Sequence, residues 1–167
     1  MRTRRKAREA VLQSLYQCDT LDDWSIQAID TYFHVFKSEI CGPEVVLSAT
    51  EKENFEFCKK IILGVIGKIQ IIDRLIGEAS TNWSVSRMCR VDRNILRCAT
   101  YELCFLSEVP TNVAINEAIE ISKSFGTHDS PMFINGVLDN IAGVLRKSPD
   151  ILSRYEQALT DKIAVNA

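Results

Sequence analysis

Residues 109–126 read VPTNVAINEAIEISKSFG, and this stretch carries the pattern that decides the fold. Apolar side chains recur every three or four positions, which is the spacing of one face of an α-helix. Pro110 ends the preceding helical pattern, and Gly126 is the residue best suited to a left-handed conformation after the last turn. The stretch therefore predicts a helix from about Asn112 to its C-terminal glycine, with an inward face of Ile115, Ile119, Ser122 and Phe125.

The same spacing continues on both sides of this helix. Downstream, Ser130 and Pro131 predict the N-cap and first turn of a helix to about Lys147, and a weaker helical pattern covers residues 151–164. Upstream, helices are predicted over about 91–107, from a capping box at 50–53 to about 76, over 26–40 and at the N-terminus. No segment alternates with the period of a β-strand, so the sequence predicts an all-α fold of about seven helices.

Length and composition restrict the class of protein. With 167 residues, 46% of them hydrophobic, the chain is long enough for one domain with a substantial core. No apolar run approaches the roughly 18 residues of a membrane span, and the charged N-terminus lacks the apolar stretch of a secretory signal. Among the six cysteines, Cys18, Cys58 and Cys98 lie on apolar helical stripes. They are interpreted as reduced core residues of a cytoplasmic protein, not as a disulfide scaffold.

The chain offers little that is typical of catalysis. His34 and His128 are its only histidines, and neither lies in a metal-binding motif, so no metal site is predicted. The segment GVIG at 64–67 lacks the lysine of a phosphate-binding loop. It predicts instead a close approach of two helices, and the same interpretation applies to all of Gly64, Gly67, Gly136 and Gly143.

Charge is concentrated at the N-terminus. The first nine residues hold five of the 20 basic side chains and one of the 22 acidic ones, a local charge of +4, which leaves −6 for the remainder. Clustered guanidinium groups favour a polyanion such as nucleic acid, although a solvated basic end or a nuclear-address-like patch has the same composition.

Charged residues on the later predicted helices have a simpler interpretation. Glu117, Glu120 and Lys123 are spaced as a surface ion-pair ladder, not as an acid–base pair beside a nucleophile. Asp92 lies in the first turn of its helix, where a carboxylate complements the helix dipole.

Three segments together make the sequence recognisable. They are AREAVLQSLYQ at 7–17, the stretch from NW at 82–83 to VDRNILRCATYEL at 91–103, and the stretch from 109–126 on to FINGVLD at 133–139. Over residues 2 to about 147 the chain resembles the NusB family of bacterial transcription antitermination factors. The resemblance implies an all-helical fold of two small packed bundles without catalytic activity. It assigns residues 1–147 to an RNA- and protein-binding domain and leaves the tail, 148–167, without a role.

The resemblance also implies partners. It implies that the protein pairs with NusE, a ribosomal protein of the small subunit, and that the pair binds the boxA element of nascent ribosomal RNA. RNA polymerase that carries this complex with other Nus factors then reads through terminators. A homodimer that covers the arginine-rich segment is an alternative to the monomer.

Site residues follow from the matching positions. The RNA-binding set comprises Arg4, Arg5, Lys6 and Arg8, at an end of the helix expected to be too polar for burial, together with Lys123, Asp129 and Phe133. An aromatic side chain such as Phe133 can stack on an unpaired base, and it fits a core position equally well. The NusE-facing set is Tyr16 and Asp92.

Two other classes of protein remain open. Ribosomal RNA cytosine methyltransferases carry a NusB-like domain, but this chain has no room for a methyl-donor domain after it. The second alternative is a helical adaptor that binds protein only, for which the basic end would be incidental.

Overall fold

The computed structural model describes residues 2–29, 48–81 and 83–165. All regular secondary structure in these ranges is helical, which confirms the predicted all-α fold. Its helices of 15 residues or more are α1 Arg2–Leu21, α2 Ala49–Ala79, α3 Arg90–Phe105, α4 Thr111–Phe125, α5 Ser130–Lys147 and α6 Ile151–Val165. A 3-10 helix, Val85–Arg87, precedes α3, and residues 26–29 are also helical. Most of the helix predicted over 26–40 lies outside the described residues, as do His34 and Cys41.

The long helix α2 begins earlier than its sequence pattern predicted. Its capping box is formed by Ser48 and Glu51, not by residues 50 and 53. The Glu51 amide donates to the Ser48 hydroxyl at 3.3 Å, and the Glu51 carboxylate accepts from the Ser48 amide at 2.8 Å. The first orphan amides of α2 are thereby satisfied two residues upstream of the predicted position.

The turn between α4 and α5 also corrects the sequence prediction. Gly126 does not adopt a left-handed conformation, since its φ is −93° and its ψ is −169°. A glycine is needed there for space, because a Cβ at this position would lie 2.6 Å from the Ser130 hydroxyl. Ser130 is inside α5, whose N-cap is Asp129, and its hydroxyl accepts a hydrogen bond from the Thr127 amide at 2.8 Å.

Helix α3 lies at the centre of the molecule. It contacts α1 and α2 on one side and α4 and α5 on the other, which fits two small bundles that share one helix. The main hydrophobic core is continuous through all five helices, and Leu15, Ile62, Leu96 and Leu138 are among its fully buried side chains. Cys18, Cys58 and Cys98 are free and buried, as predicted. None of the described helices is long and apolar enough to cross a membrane.

Only one of the four glycines predicted to allow close helix approach does so. A Cβ on Gly64 of α2 would lie 2.0 Å from the Tyr101 ring of α3. At Gly67, Gly136 and Gly143 the added Cβ would meet nothing within 4 Å, so the prediction is wrong there.

Ionic contacts fasten α3 to its neighbours. Arg93 and Asn94 both donate to the Asp19 carboxylate of α1, at 2.7 and 2.9 Å. Arg97 donates to Asp73 of α2 through two hydrogen bonds of 2.7 and 2.8 Å. These side chains are mostly withdrawn from water, so the network contributes to the orientation of α1 and α2 against α3.

The C-terminal tail forms helix α6, which packs on the outer face of α2. Ile151 and Tyr155 bury apolar surface against Ile71 and Leu75 in a small separate cluster. The Tyr155 hydroxyl donates to Glu78, and the Arg74 guanidinium carbon lies 3.9 Å from the centre of the tyrosine ring. The tail therefore docks on the body of the protein.

Candidate nucleic-acid and protein interface

Two of the four predicted N-terminal cations are exposed on the first turns of α1. Arg4 and Lys6 are both exposed, and neither forms an ion pair within 4 Å of any acidic side chain among the described residues. The Arg4 guanidinium carbon lies 4.4 Å from the centre of the Phe57 ring, so a ring of α2 supports this exposed cation. Arg4 and Lys6 are therefore available to an external anion.

Arg5 is already paired. It donates two hydrogen bonds, of 2.8 and 2.9 Å, to the buried carboxylate of Glu117 on α4, and a second carboxylate, Glu120, lies 3.7 Å away. The hydrogen bond from Arg5 lowers the pKa of Glu117. Glu120 also binds Lys123 at 2.5 Å, which confirms this step of the predicted surface ladder on α4. The prediction is wrong for Glu117, which is buried and pairs with Arg5 of α1. An anion at Arg5 or Lys123 must compete with these carboxylates.

Arg8 corrects the expectation that this end of α1 is too polar to be buried. Its side chain is 5% exposed and lies against Glu102 of α3, which is 1% exposed. The two groups form charge-assisted hydrogen bonds of 2.6 and 2.8 Å. Arg8 faces the core because α1 turns this position toward α3, where its charge meets a partner. A guanidinium enclosed in this way is withdrawn from any RNA on the surface.

The predicted RNA-facing turn presents one exposed and one half-buried side chain. Asp129 is exposed at the N-cap of α5. Phe133, one turn into α5, is half-buried and packs against the main core. Its remaining surface lines a groove with Trp83 and Met132, two exposed side chains to which the sequence assigned no role.

We call this depression the Trp83 groove. It lies between the end of α2, the segment before α3 and the first turns of α5, and its volume is about 290 Å³. In the sequence, the only indication of this groove was Trp83 in the dipeptide NW at 82–83, which lies in a break between two helical patterns. Periodicity does not report such a side chain, because it belongs to no apolar stripe.

The predicted NusE-facing residues differ in access. Tyr16 is 41% exposed on α1, whereas Asp92 is only 8% exposed in the first turn of α3. One Asp92 carboxylate oxygen is buried without a hydrogen-bond partner. Burial raises the pKa of this carboxyl group, and a hydrogen bond with Ser130 of α5 opposes the shift. Asp92 therefore lies beneath the turn that carries Asp129 and presents little surface to a partner.

We expect Asp92→Asn to melt at or above the wild-type temperature at pH 7. A carboxyl group whose pKa is raised on folding disfavours the folded state above that pKa, and the penalty disappears as the pH falls through the folded value toward 3.8. The difference between variant and wild type should therefore be largest at neutral pH and vanish below about pH 4. Thermal melts from pH 3.5 to 8 measure it. A variant that is less stable than wild type at pH 7 would show that the helix-dipole interaction of the carboxylate dominates instead.

Comparisons with known proteins give the family. Residues 5–143 match the model of the NusB family. The transcription antitermination protein NusB of Geotalea uraniireducens is 43% identical over 147 residues, which is 87% of this chain and 97% of that protein.

Solved structures share the fold. The T. maritima NusB structure is 37% identical with a TM-score of 0.69, over 84% of this chain and 90% of that one. A chain in the crystal structure of antitermination factors NusB and NusE in complex with double-stranded RNA has a TM-score of 0.71 at 24% identity, over 86% and 98% of the two chains. With a family model that covers most of the sequence and relatives this similar, the chain belongs to the NusB family.

Proposed function

We propose that this protein is a non-catalytic transcription antitermination factor. It pairs with the ribosomal protein NusE, binds the boxA element of nascent ribosomal RNA, and supports read-through of terminators by RNA polymerase in the bacterial cytoplasm. Family membership and the function named for its curated relatives support the proposal. The observation on this chain that carries RNA binding is the pair of exposed, unpaired cations at the start of α1, Arg4 and Lys6.

These two cations suit phosphate contacts. Arg4 is held over the Phe57 ring and offers a planar set of donors, while Lys6 offers a flexible point charge on the same turn. From there, Arg5 and the Glu120–Lys123 pair follow the surface of α4 toward the turn at residues 126–129. We propose that the RNA backbone follows this path, with Arg4 and Lys6 as its principal phosphate contacts and Asp129 and Phe133 beside the bases.

NusE is proposed to dock over Tyr16. This exposed tyrosine lies on α1, the helix that also carries the free cations, and it offers apolar area with a polar tip. Asp92, which is mostly enclosed, is proposed to act on this surface through the position of the turn above it and not through a broad contact of its own.

The experiment is the salt dependence of RNA binding with NusE present. We expect Arg4→Gln with Lys6→Gln to flatten the log–log dependence of affinity on salt by about 1.4, because each phosphate contact to a single strand contributes about 0.7. Affinity for a boxA-containing oligonucleotide is measured at four or more salt concentrations for wild type and variant. Melting temperature should change little, since both side chains are exposed.

The matched control removes two positive charges elsewhere. Lys147→Gln with Arg154→Gln, at the junction of α5 and α6, lowers the net charge equally at exposed positions. This control should leave the slope unchanged. An equal slope for wild type and the α1 variant contradicts the proposed RNA interface, and normal NusE binding without any RNA binding would favour the protein-only adaptor.

A further inference from the structure

The Trp83 groove joins an exposed aromatic ring to the predicted RNA-facing turn. Trp83 is 51% exposed, and Met132 and Phe133 line the groove with it. An exposed indole offers a flat aromatic face on which a nucleobase can stack.

On the basis of the RNA-binding function proposed above, we propose that the Trp83 groove holds one unpaired base of the bound RNA. The base stacks on the Trp83 indole, and Phe133, fixed in the core, forms the floor and not the stacking surface. This assignment differs from the one that the family resemblance gives, in which Phe133 is the aromatic contact.

The size and lining of the groove suit a nucleobase. Its volume of about 290 Å³ falls at the lower limit of roughly 300 Å³ for sites that enclose small molecules, which leaves room for a single planar ring. Apolar side chains share its wall with the polar residues Ser80, Thr81 and Asn140. Stacking on an aromatic face with a few polar contacts at the base edge is the usual way to read single-stranded RNA.

A neighbouring cation and continuity with the proposed RNA path favour RNA over a protein segment as the occupant. No acidic or basic side chain lines the groove itself. Arg87 lies on the 3-10 helix before α3, and its guanidinium carbon is 5.9 Å from the centre of the Trp83 ring. A cation beside a stacking ring provides a phosphate contact next to the bound base. The groove also continues the proposed RNA path, since Phe133 belongs to both.

The test is a double-mutant cycle in which Trp83 is one site and one base of the RNA is the other. A boxA oligonucleotide with one abasic site is prepared for each position, and every oligonucleotide is titrated against wild type and Trp83→Ala with NusE present. We expect Trp83→Ala to weaken binding of the intact oligonucleotide about tenfold with an unchanged salt slope, because base stacking contributes about 1–3 kcal/mol. One abasic position should weaken binding to wild type by a similar factor and have no further effect on the variant.

Two further variants keep the outcome interpretable. Trp83→Phe retains a ring and should bind within about threefold of wild type. Ile163→Ala removes an exposed apolar side chain from α6, 71% accessible against 51% for Trp83, and should bind as wild type does. In a Trp24→Phe background, Trp83 is the sole tryptophan, and its fluorescence should be quenched as RNA binds.

Several outcomes overturn the base-binding site. They are wild-type RNA affinity in Trp83→Ala, an abasic profile that is the same in both proteins, or a loss of NusE affinity with RNA affinity retained, which would make the groove a protein site. In each case the proposed function is still supported if the salt dependence of RNA affinity changes when Arg4 and Lys6 are replaced. If the RNA affinity of the wild type does not depend on salt, the proposed function itself is wrong.

Discussion

Replacing Glu102 with alanine is expected to lower the free energy of unfolding by about 3–5 kcal/mol, the largest effect of any substitution considered. The variant leaves the Arg8 guanidinium enclosed between α1 and α3 with no carboxylate opposite it. An unpaired buried charge keeps its full desolvation cost, which is why the loss of one partner costs far more than the net value of the pair. Urea denaturation monitored by circular dichroism measures the change.

Two controls separate this effect from a general loss of charge. Glu108→Ala removes the carboxylate of an exposed pair with Lys60 and should change stability little. The double substitution Arg8→Met with Glu102→Leu replaces the pair with apolar groups and should recover much of the stability lost in the single variant. If Glu102→Ala were no less stable than Glu108→Ala, the buried pair would contribute nothing beyond a surface one.

Gly64→Ala is expected to cost about 3 kcal/mol, although alanine favours a helix more than glycine does. A methyl group at Gly64 would lie 2.0 Å from the ring of Tyr101, a distance at which α2, α3 or the ring must move. Tyr101 is 9% exposed and stacks near Phe105 with ring centres 5.3 Å apart, so its ring has little room to yield. Chemical denaturation gives the loss of stability.

Gly67→Ala is the matched control, one turn along the same helix. A methyl group there meets nothing within 4 Å, so only the backbone term remains. That term should raise stability by about 0.5–1 kcal/mol, because glycine loses more conformational freedom than alanine when a helix forms. Opposite signs at Gly64 and Gly67 are the expected result, and equal effects would contradict the close contact of α2 with α3.

The sequence by itself determined the class of fold, the course of the helices and the family. Apolar residues such as Ala10 and Leu15 recur every three or four positions, and this spacing shows which face of a helix is apolar. The spacing is a local property of the sequence, so it can be read without the tertiary structure. Helices α2 to α6 all begin within two residues of the predicted starts, and the segments at 82–103 and 109–139 carried the resemblance that the family model later matched. The basic charge of the first nine residues is likewise readable without coordinates.

Tertiary structure alone decided which of these charged and small residues face solvent. Arg4 and Arg8 look alike in sequence, but Arg8 meets Glu102, 94 positions away, and Arg4 meets no carboxylate among the described residues. For the same reason Gly64 lies against a neighbouring helix and Gly67 does not. Likewise, the sequence predicted that Asp92 faces a partner, but the packing of the helices encloses it. Trp83 gained its neighbours only when α5 packed beside the end of α2. Such contacts depend on how whole helices are placed against one another, and periodicity along a single helix does not contain that information.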